Sequence, residues 1–460
     1  MQIKDILKLE PQNQKIEIQG WVRTKRAMKN MTFIEVNDGS CLAGIQCVYA
    51  LGGGADETVE RITTGAAIRI TGLLTPSPAT GQKVEAACKE IEILGEAGAA
   101  DYPLQKKRHS LEFLRTIPHL RGRTRSIGAV MRIRSRLAYA THNFFQERGF
   151  FYIHTPVITT NDAEGAGSMF QVTTLDLKKT AAKWTADGVI DYKQDFFGKK
   201  AYLTVSGQLE GETYATALSR IYTFGPTFRA ENSNTSRHLA EFWMIEPEAA
   251  FFDIHLNMEL AEDFLKYLFA DVLKNCEEDM AFFDEYVEKG IIKNLEHTAE
   301  VKFERITYTD AVLELEKNKE KFEFKPFWGC DLQTEHEKFL TETVAKKPVI
   351  VTDYPKGIKA FYMKQNKDGK TVRAMDVLVP KLGEIIGGSE RETDMDLLEN
   401  RINELGMKTA DYTWYLDLRR YGSVPHSGFG LGFERLVQYV TGMANIRDCI
   451  PYPRTAQTAV

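Results

Sequence analysis

Among the six cysteines of this 460-residue chain, at positions 41, 47, 88, 276, 330 and 449, no two are spaced C-x-x-C. Neither a zinc site nor a disulfide framework is signalled, and buried free thiols in a reducing compartment are the expectation. Long apolar runs are missing as well. Nowhere do ~20 apolar residues follow one another, so no membrane-spanning helix is expected. The opening MQIKDILKLE carries a charge every few positions instead of the apolar stretch of a signal peptide. A dominant charge sign is also absent. Lys and Arg number 59 against 64 Asp and Glu, a net charge of −5. That argues against a uniformly basic nucleic-acid coat, though not against a local basic face. What remains is 43% apolar and 27% charged, ordinary for a soluble globular chain of ~2–3 domains. A cytoplasmic enzyme or binding protein fits, with no membrane partner.

Residues 14 to 96 read as five short strands: KIEIQGWV, MTFIEVND, AGIQCVY, AIRITGLL and KVEAACKEIEIL, separated by turn formers such as Asn37-Asp38-Gly39. Five strands in so short a span suit a small closed barrel, the oligonucleotide-binding barrel being one form, or a β-sandwich. Residues 101–125, rich in Gly, Pro, Lys and Arg and poor in periodicity, read as a hinge between a domain at 1–100 and a second at 126–460.

From Ile127 the period turns helical, with Val130, Ile133, Leu137, Thr141 and Phe144 on one face and Gly149 as the stop. FFYIHTPVIT follows, a strand interrupted by Pro156. Proline cannot donate to a ladder, so the spacing predicts a sheet edge or an interface. Residues 170–200 are polar and weakly patterned, a surface insertion. Further on, GETYATALSR and residues 255–290, 331–346 and 394–420 read as helices. PVIVTDYP, KAFYMKQN and AMDVLVPKLGEIIGG read as strands, and SGFGLGFERLVQYVTGM as a glycine turn feeding a helix. Strands and helices do not strictly alternate, which predicts an α+β domain with an antiparallel sheet.

One stretch sets a problem. In TFGPTFRAENSNTSRHLAEFWMIEPEAAF, Arg229, Glu231, Arg237, His238, Glu241 and Glu246 lie among Phe228, Phe242, Trp243 and Ile245. As a hairpin with ENSNTSRH for its loop, Arg229 and Glu231 share one strand face, as do Phe242, Met244, Glu246 and Glu248 on the return strand. Cross-strand salt bridges would account for this. So would a ligand carrying both charge signs, since unsatisfied buried carboxylates cost several kcal/mol. Two further signals agree. Arg435 opens a helix after three glycines, a place that suits anions. Asp376 and Glu384 sit on neighbouring strand segments, a carboxylate pair that suits Mg2+ bound through phosphates.

RGFFYIHTPVI, FRAE…RHLAEF and GFGLGFERL resemble motifs 1, 2 and 3 of the class II aminoacyl-tRNA synthetases. With a barrel like an anticodon-binding domain, the chain is similar to their aspartate/asparagine/lysine subgroup. NDAEGAG, TVSGQLEGETYA, RHLAEFWMIEPE and LGEIIGGSERE most resemble the asparagine-specific members, and the likeness covers almost the whole chain. It implies a five-stranded OB-fold barrel followed by a class II catalytic domain, an antiparallel sheet flanked by helices.

Carried over residue by residue, the resemblance implies an ATP site of Arg229, Glu231, Arg237, His238, Phe242, Glu384 and Arg435, with Arg229 and Arg435 catalytic. Asp376 and Glu384 would hold Mg2+. Glu164, Gln208, Arg229, Glu246 and Arg391 would hold the amino acid. Arg26, Phe33 and Gln46 would meet the tRNA anticodon, and the motif 1 helix and strand imply a homodimer. The implied reaction is ATP-dependent activation of L-asparagine and its transfer to tRNA(Asn).

An aspartyl-tRNA synthetase with relaxed tRNA choice stays open beside it, as do a tRNA-independent asparagine-synthesising relative and a non-catalytic RNA-binding paralogue. Two departures stand out, the first bearing on the choice between asparagine and aspartate and the second on the number of Mg2+ ions. The subgroup's aspartate members place a lysine just after the glutamine matching Gln208, where this chain has Leu209. Gly387 stands where those members often have serine beside the metal.

Overall fold

The structure, a computed structural model, describes residues 1–163, 169–176, 190–233 and 235–458. Glu164 and residues 177–189 of the expected insertion lie outside the described residues. Two compact units are present: Met1–Ile133 with Cys276–Phe282, and Arg134–Asn275 with Phe283–Val460. Among the described residues no helix is long and apolar enough to cross a membrane.

In the first unit β1 (Lys15–Ala27), β2 (Met31–Asn37), β3 (Ile45–Ala50), β4 (Ala67–Pro76) and β5 (Val84–Gly95) close into a barrel in the order β1-β2-β3-β5-β4. Alternation drives the closure. Ile16, Ile18, Val22, Ile34, Val36, Ile45, Cys47, Ile68, Ile70 and Val84 point inward and are buried, and the short helix Ile3–Ile6 adds Ile3 and Ile6 to the same core. The segment read as a hinge is more ordered than its composition suggested. It holds the helices Leu111–Thr116, capped by Ser110, and Pro118–Arg121, and Leu104 and Leu114 pack with Ile127 in a small apolar cluster.

The helix Arg125–Glu147 follows, and its expected stripe is realised: Val130, Ile133, Leu137, Thr141 and Phe144 are all buried. The second unit is built on an eight-stranded sheet in the order β12-β13-β14-β15-β16-β11-β10-β6. Its strands are β6 (Phe151–Tyr152), β10 (Arg220–Phe228), β11 (Glu241–Ala250), β12 (Glu304–Thr307), β13 (Val349–Pro355), β14 (Thr371–Val379), β15 (Gly383–Glu390) and β16 (His426–Gly432). The six central strands pair antiparallel, while β6 and β12 are parallel to their neighbours at the two edges. Pro156 does split its strand. β6 ends at Tyr152, on a sheet edge, and the chain resumes as β7 (Ile158–Thr159) in a small sheet with β8 (Gln171–Val172) and β9 (Ala201–Leu203), in the order β7-β9-β8.

Three local expectations are corrected. KAFYMKQN forms no strand, only the isolated bridges Met363↔Arg391 and Gln365↔Val372, since Phe361 and Tyr362 turn into a separate core with Tyr412 and Tyr415. GFGLG is no turn but the body of β16. Its glycines leave room for β11: a Cβ at Gly430 would lie 2.7 Å from Met244 Cε, and one at Gly428 would collide with the Glu248 carboxylate. Arg229 and Glu231 lie just past the last residue of β10, in the loop and not on the strand face.

Candidate active site

The β10–β11 hairpin sets most of the site. Its register, Phe228↔Glu241, Thr227↔Phe242 and Thr223↔Glu246, leaves residues 229–233 and 235–240 off the strands as loop. β16 lies against β11, with Met244 opposite Gly432, and runs straight into the helix Phe433–Thr441, which presents Arg435 in its first turn. β15 lies on the other side of β16 and brings Glu384. Between these elements is a cleft lined by Arg229, Glu231, Arg237, His238, Phe242, Glu384 and Arg435, with Met244, Gly430 and Gly432 as part of its wall. All seven residues expected around a nucleotide therefore come together, from positions two hundred residues apart.

Charge of both signs lines the cleft, the guanidinium groups of Arg229, Arg237 and Arg435 against the carboxylates of Glu231, Glu384 and Glu434, and part of it is desolvated. The Arg229 guanidinium lies 5.4 Å from the centre of the Phe242 ring, a cation–π approach. Arg237 donates to Thr334 Oγ1 at 2.6 Å, and burial holds its pKa below the ordinary guanidinium value. His238, hydrogen-bonded to Thr235, is likewise held below the usual imidazole range by burial. Arg435 Nη1 donates to the Glu384 carbonyl oxygen at 3.1 Å and lies 3.5 Å from Glu384 Oε2.

Asp376 does not line the cleft itself, but β14 places it opposite Gly387 of β15. A Cβ on Gly387 would lie 3.1 Å from Glu384 Oε1 and 3.6 Å from Asp376 Oδ1, so one oxygen of each carboxylate faces the same point. Among the described residues no group of three or more His, Cys, Asp or Glu could hold a metal. A pair of hard oxygen donors beside an arginine-lined cleft nevertheless fits Mg2+, which takes one or two carboxylates and completes its shell with other oxygen ligands and water.

Two residues here went unread in the sequence. Lys359 Nζ is 2.6 Å from Asp376 Oδ2, and Glu337 accepts from the Glu384 amide at 3.2 Å. Burial, then the Glu384 charge, pushes Glu337 up to about 8. Neither belongs to a local charge pattern that could have flagged it.

The residues expected to hold the amino acid lie deeper. Gln208, Glu246 and Arg391 are each no more than 7% exposed and none lines the cleft. Glu246 accepts from Ser206 Oγ, from the Gly207 amide at 2.9 Å and from Thr223 Oγ1 at 3.0 Å. A carboxylate has about four acceptor sites, so one is left for a further N–H. Arg391 forms an ion pair with Glu248 and donates to Ser389 Oγ at 2.7 Å. Burial raises the Glu248 carboxyl, and the Arg391 guanidinium in contact with it pulls the other way.

Gln208 Nε2 donates to Glu212 Oε1 at 3.0 Å, and Glu212 also accepts from Tyr415 and Arg419 and faces His426. Glu212, Tyr415, Arg419 and His426 were not anticipated, and Glu248 was expected only as a neighbour of Glu246 on one strand face. One signal existed: Gln208 and Glu212 are four apart on one helix, spacing that puts them side by side.

In the barrel, Phe33 and Gln46 lie on the outer face, alternating with buried neighbours, and Arg26 lies at the exposed end of β1. Arg26 pairs with Phe33 across β1 and β2 and its guanidinium sits 5.3 Å from the ring centre. Gln46 donates to Glu85 Oε2 at 3.2 Å.

Comparison with known proteins follows this division. Residues 110–456 match the family described as tRNA synthetases class II (D, K and N), and residues 16–94 match the OB-fold nucleic acid binding domain. The asparagine--tRNA ligase of Treponema denticola is 63% identical, with 99% of each chain covered, and that of Borreliella burgdorferi is 58% identical, with 98% of each covered. Among solved structures, the asparaginyl-tRNA synthetase of Pyrococcus horikoshii complexed with asparaginyl-adenylate is 32% identical, covers 100% of this chain and 99% of its own, and superposes with a TM-score of 0.86.

Proposed function

The chain belongs to the class II tRNA synthetases (D, K and N) and within them to the asparagine–tRNA ligases, and from that membership we propose that it activates L-asparagine with ATP and passes the asparaginyl group to tRNA(Asn). The observation that carries the reading is the meeting of Arg229, Glu231, Arg237, His238 and Phe242 from one hairpin with Glu384 and Arg435 in one cleft. A non-catalytic paralogue would have no use for that convergence.

In the first step the asparagine carboxylate attacks the α-phosphorus of ATP and diphosphate leaves. No protein nucleophile is required. The site has to align the two reactants and offset charge growing on the phosphoryl oxygens, and preset guanidinium groups in a partly desolvated cleft do both. Arg229 is assigned to the α-phosphate and the substrate carboxylate, Arg435 to the γ-phosphate and one adenine face. Phe242 stacks on the other face, Glu231 accepts from the adenine amino group, and Arg237 and His238 meet the β- and γ-phosphates. Mg2+, held by Asp376 and Glu384, would neutralise phosphate charge. In the second step the ribose hydroxyl at the tRNA end takes the asparaginyl group.

Selectivity is assigned to Glu246 and Arg391, with Gln208 and Glu164 holding the substrate ammonium group. Glu246, fixed by three donors, offers an acceptor to an amide NH2 but would set its charge against an aspartate carboxylate, at a cost of a few kcal/mol. Leu209, where aspartate members carry lysine, agrees. Amino-acid-dependent ATP–diphosphate exchange across the twenty standard amino acids tests this. Asparagine should drive it, and faster exchange with aspartate would overturn the assignment.

We also place the chain in a homodimer. Tyr139, Phe151, Tyr152 and Ile158, around the motif 1 helix and strand, are each 42–56% exposed, more apolar surface than this short segment needs if it faces water. Analytical sedimentation should give a particle of two chains; a monomer at micromolar concentration would refute it. The cytoplasm is the compartment that tRNA charging asks for.

A further inference from the structure

The two carboxylates beside Gly387 share a feature that their ligand role alone does not require. Each has one oxygen facing the common point, Glu384 Oε1 and Asp376 Oδ1, and each has its other oxygen beside a cationic side chain. Arg435 Nη1 lies 3.5 Å from Glu384 Oε2, and Lys359 Nζ lies 2.6 Å from Asp376 Oδ2. Lys359 is itself held. Its ammonium sits 3.9 Å from the centre of the buried Tyr354 ring. Both members of the Lys359–Asp376 pair are largely buried, with side chains 17% and 14% exposed, so the contact is not a loose surface pair.

We propose that Lys359 sets the cation preference of the ATP site, by occupying Asp376 Oδ2 so that Asp376 can give a metal only one oxygen. The inference rests on the reading of Asp376 and Glu384 as the Mg2+ ligands. Its physical basis is the difference between the two common hard cations. Mg2+ demands six ligands in near-ideal octahedral geometry and is content with single oxygens from one or two carboxylates. Ca2+ takes six to eight oxygens and commonly takes both oxygens of one carboxylate. A lysine fixed on the second oxygen removes that option at Asp376, and Arg435 restricts Glu384 in the same sense. Lys359 is thus a positioning residue with a selective effect, beyond neutralising a buried carboxylate.

The test uses the full chain bound to α,β-methylene-ATP, with Mg2+ and Ca2+ affinities measured by titration calorimetry over those of the analogue alone. The parent protein should bind Ca2+ at least about tenfold more weakly than Mg2+, the size of one charge-assisted contact. Equal affinities would overturn the proposal without any variant. Lys359→Met should raise Ca2+ affinity by about tenfold while moving Mg2+ much less. Lys359→Gln, which keeps a donor on Oδ2, should retain the parent preference.

An unchanged ratio in Lys359→Met, or equal gains for both cations, would leave Lys359 a plain structural counter-ion and sink the idea. Melting curves check folding, and Lys359→Ala replaces Lys359→Met if the latter does not fold. Asp376→Ala separates the two failures: cation binding unaltered by it would refute the metal site itself, independently of Lys359.

Discussion

His238 shows how a single side chain can report on the charge that the cleft is built to receive. Burial, with Arg435, Arg229 and Arg237 close by, holds its imidazole below the ordinary value, against the pull of Glu231. Without ligand the neutral form is therefore favoured at neutral pH. A triphosphate brings negative charge against the ring and reverses the balance, so the ATP-bound state has the higher proton affinity. The sign follows from linkage: ATP affinity should rise as pH falls from about 7.5 to 6, across the range in which free imidazole titrates. Calorimetry in buffers of different ionisation enthalpy should show proton uptake on ATP binding, and His238→Asn should abolish it. Uptake that persists in the variant would remove His238 from the phosphate site. The residues of this cleft were legible because six of the seven come in two short stretches, FRAE…RHLAEF and GFGLGFERL, whose chemistry can be read locally. Lys359 and Glu337 were not, because each reaches the site alone from a separate element.

At the scale of elements, β16 carries the most information per residue. Its glycines looked like a turn since glycine is the usual turn former, but a central strand can also require glycine where a neighbour's side chain crosses it. Gly428 does so: Glu248, the partner of Arg391, occupies the space a Cβ would take. Gly428→Ala should cost about 1–3 kcal/mol by overpacking, lowering the melting temperature by several degrees. It should also raise the asparagine KM in the exchange assay more than the ATP KM, because the displaced carboxylate is the one that holds Arg391. Equal changes in both KM values would mean that the Glu248–Arg391 pair does not serve the amino acid. The hairpin β10–β11 was read with its loop nearly in place. The strand period carried slightly too far, into Arg229 and Glu231, because alternation persists in sequence after backbone pairing has stopped.

For the molecule as a whole, the barrel and the catalytic unit are separate compact bodies with separate cores, and charging tRNA asks something different of each. Phe33, on the outer face of the barrel beneath the Arg26 guanidinium, offers a ring on which an unpaired base can stack, a contact worth about 1–3 kcal/mol in such barrels. Phe33→Ala should weaken tRNA charging by about tenfold or more and leave ATP–diphosphate exchange intact. Steady-state charging and exchange assays on the same preparation check it, and parallel loss of both would point to unfolding or to a role outside RNA binding.

By itself, the sequence determined the two-part architecture, the barrel strands, the motif 1 helix, the broken strand at Pro156 and the residues that meet in one cleft. All of these are written in periods of two or 3.6 residues, or in runs short enough for neighbours in sequence to be neighbours in space. Tertiary structure alone decided which oxygen of Asp376 faces Gly387 and which meets Lys359. It also decided that Glu212 gathers Tyr415, Arg419 and His426 from two elements about two hundred residues further along the chain. The physical reason is that burial removes water as an alternative partner, so a charged side chain inside the fold takes whichever donors packing brings to it. No local pattern in a sequence records that choice.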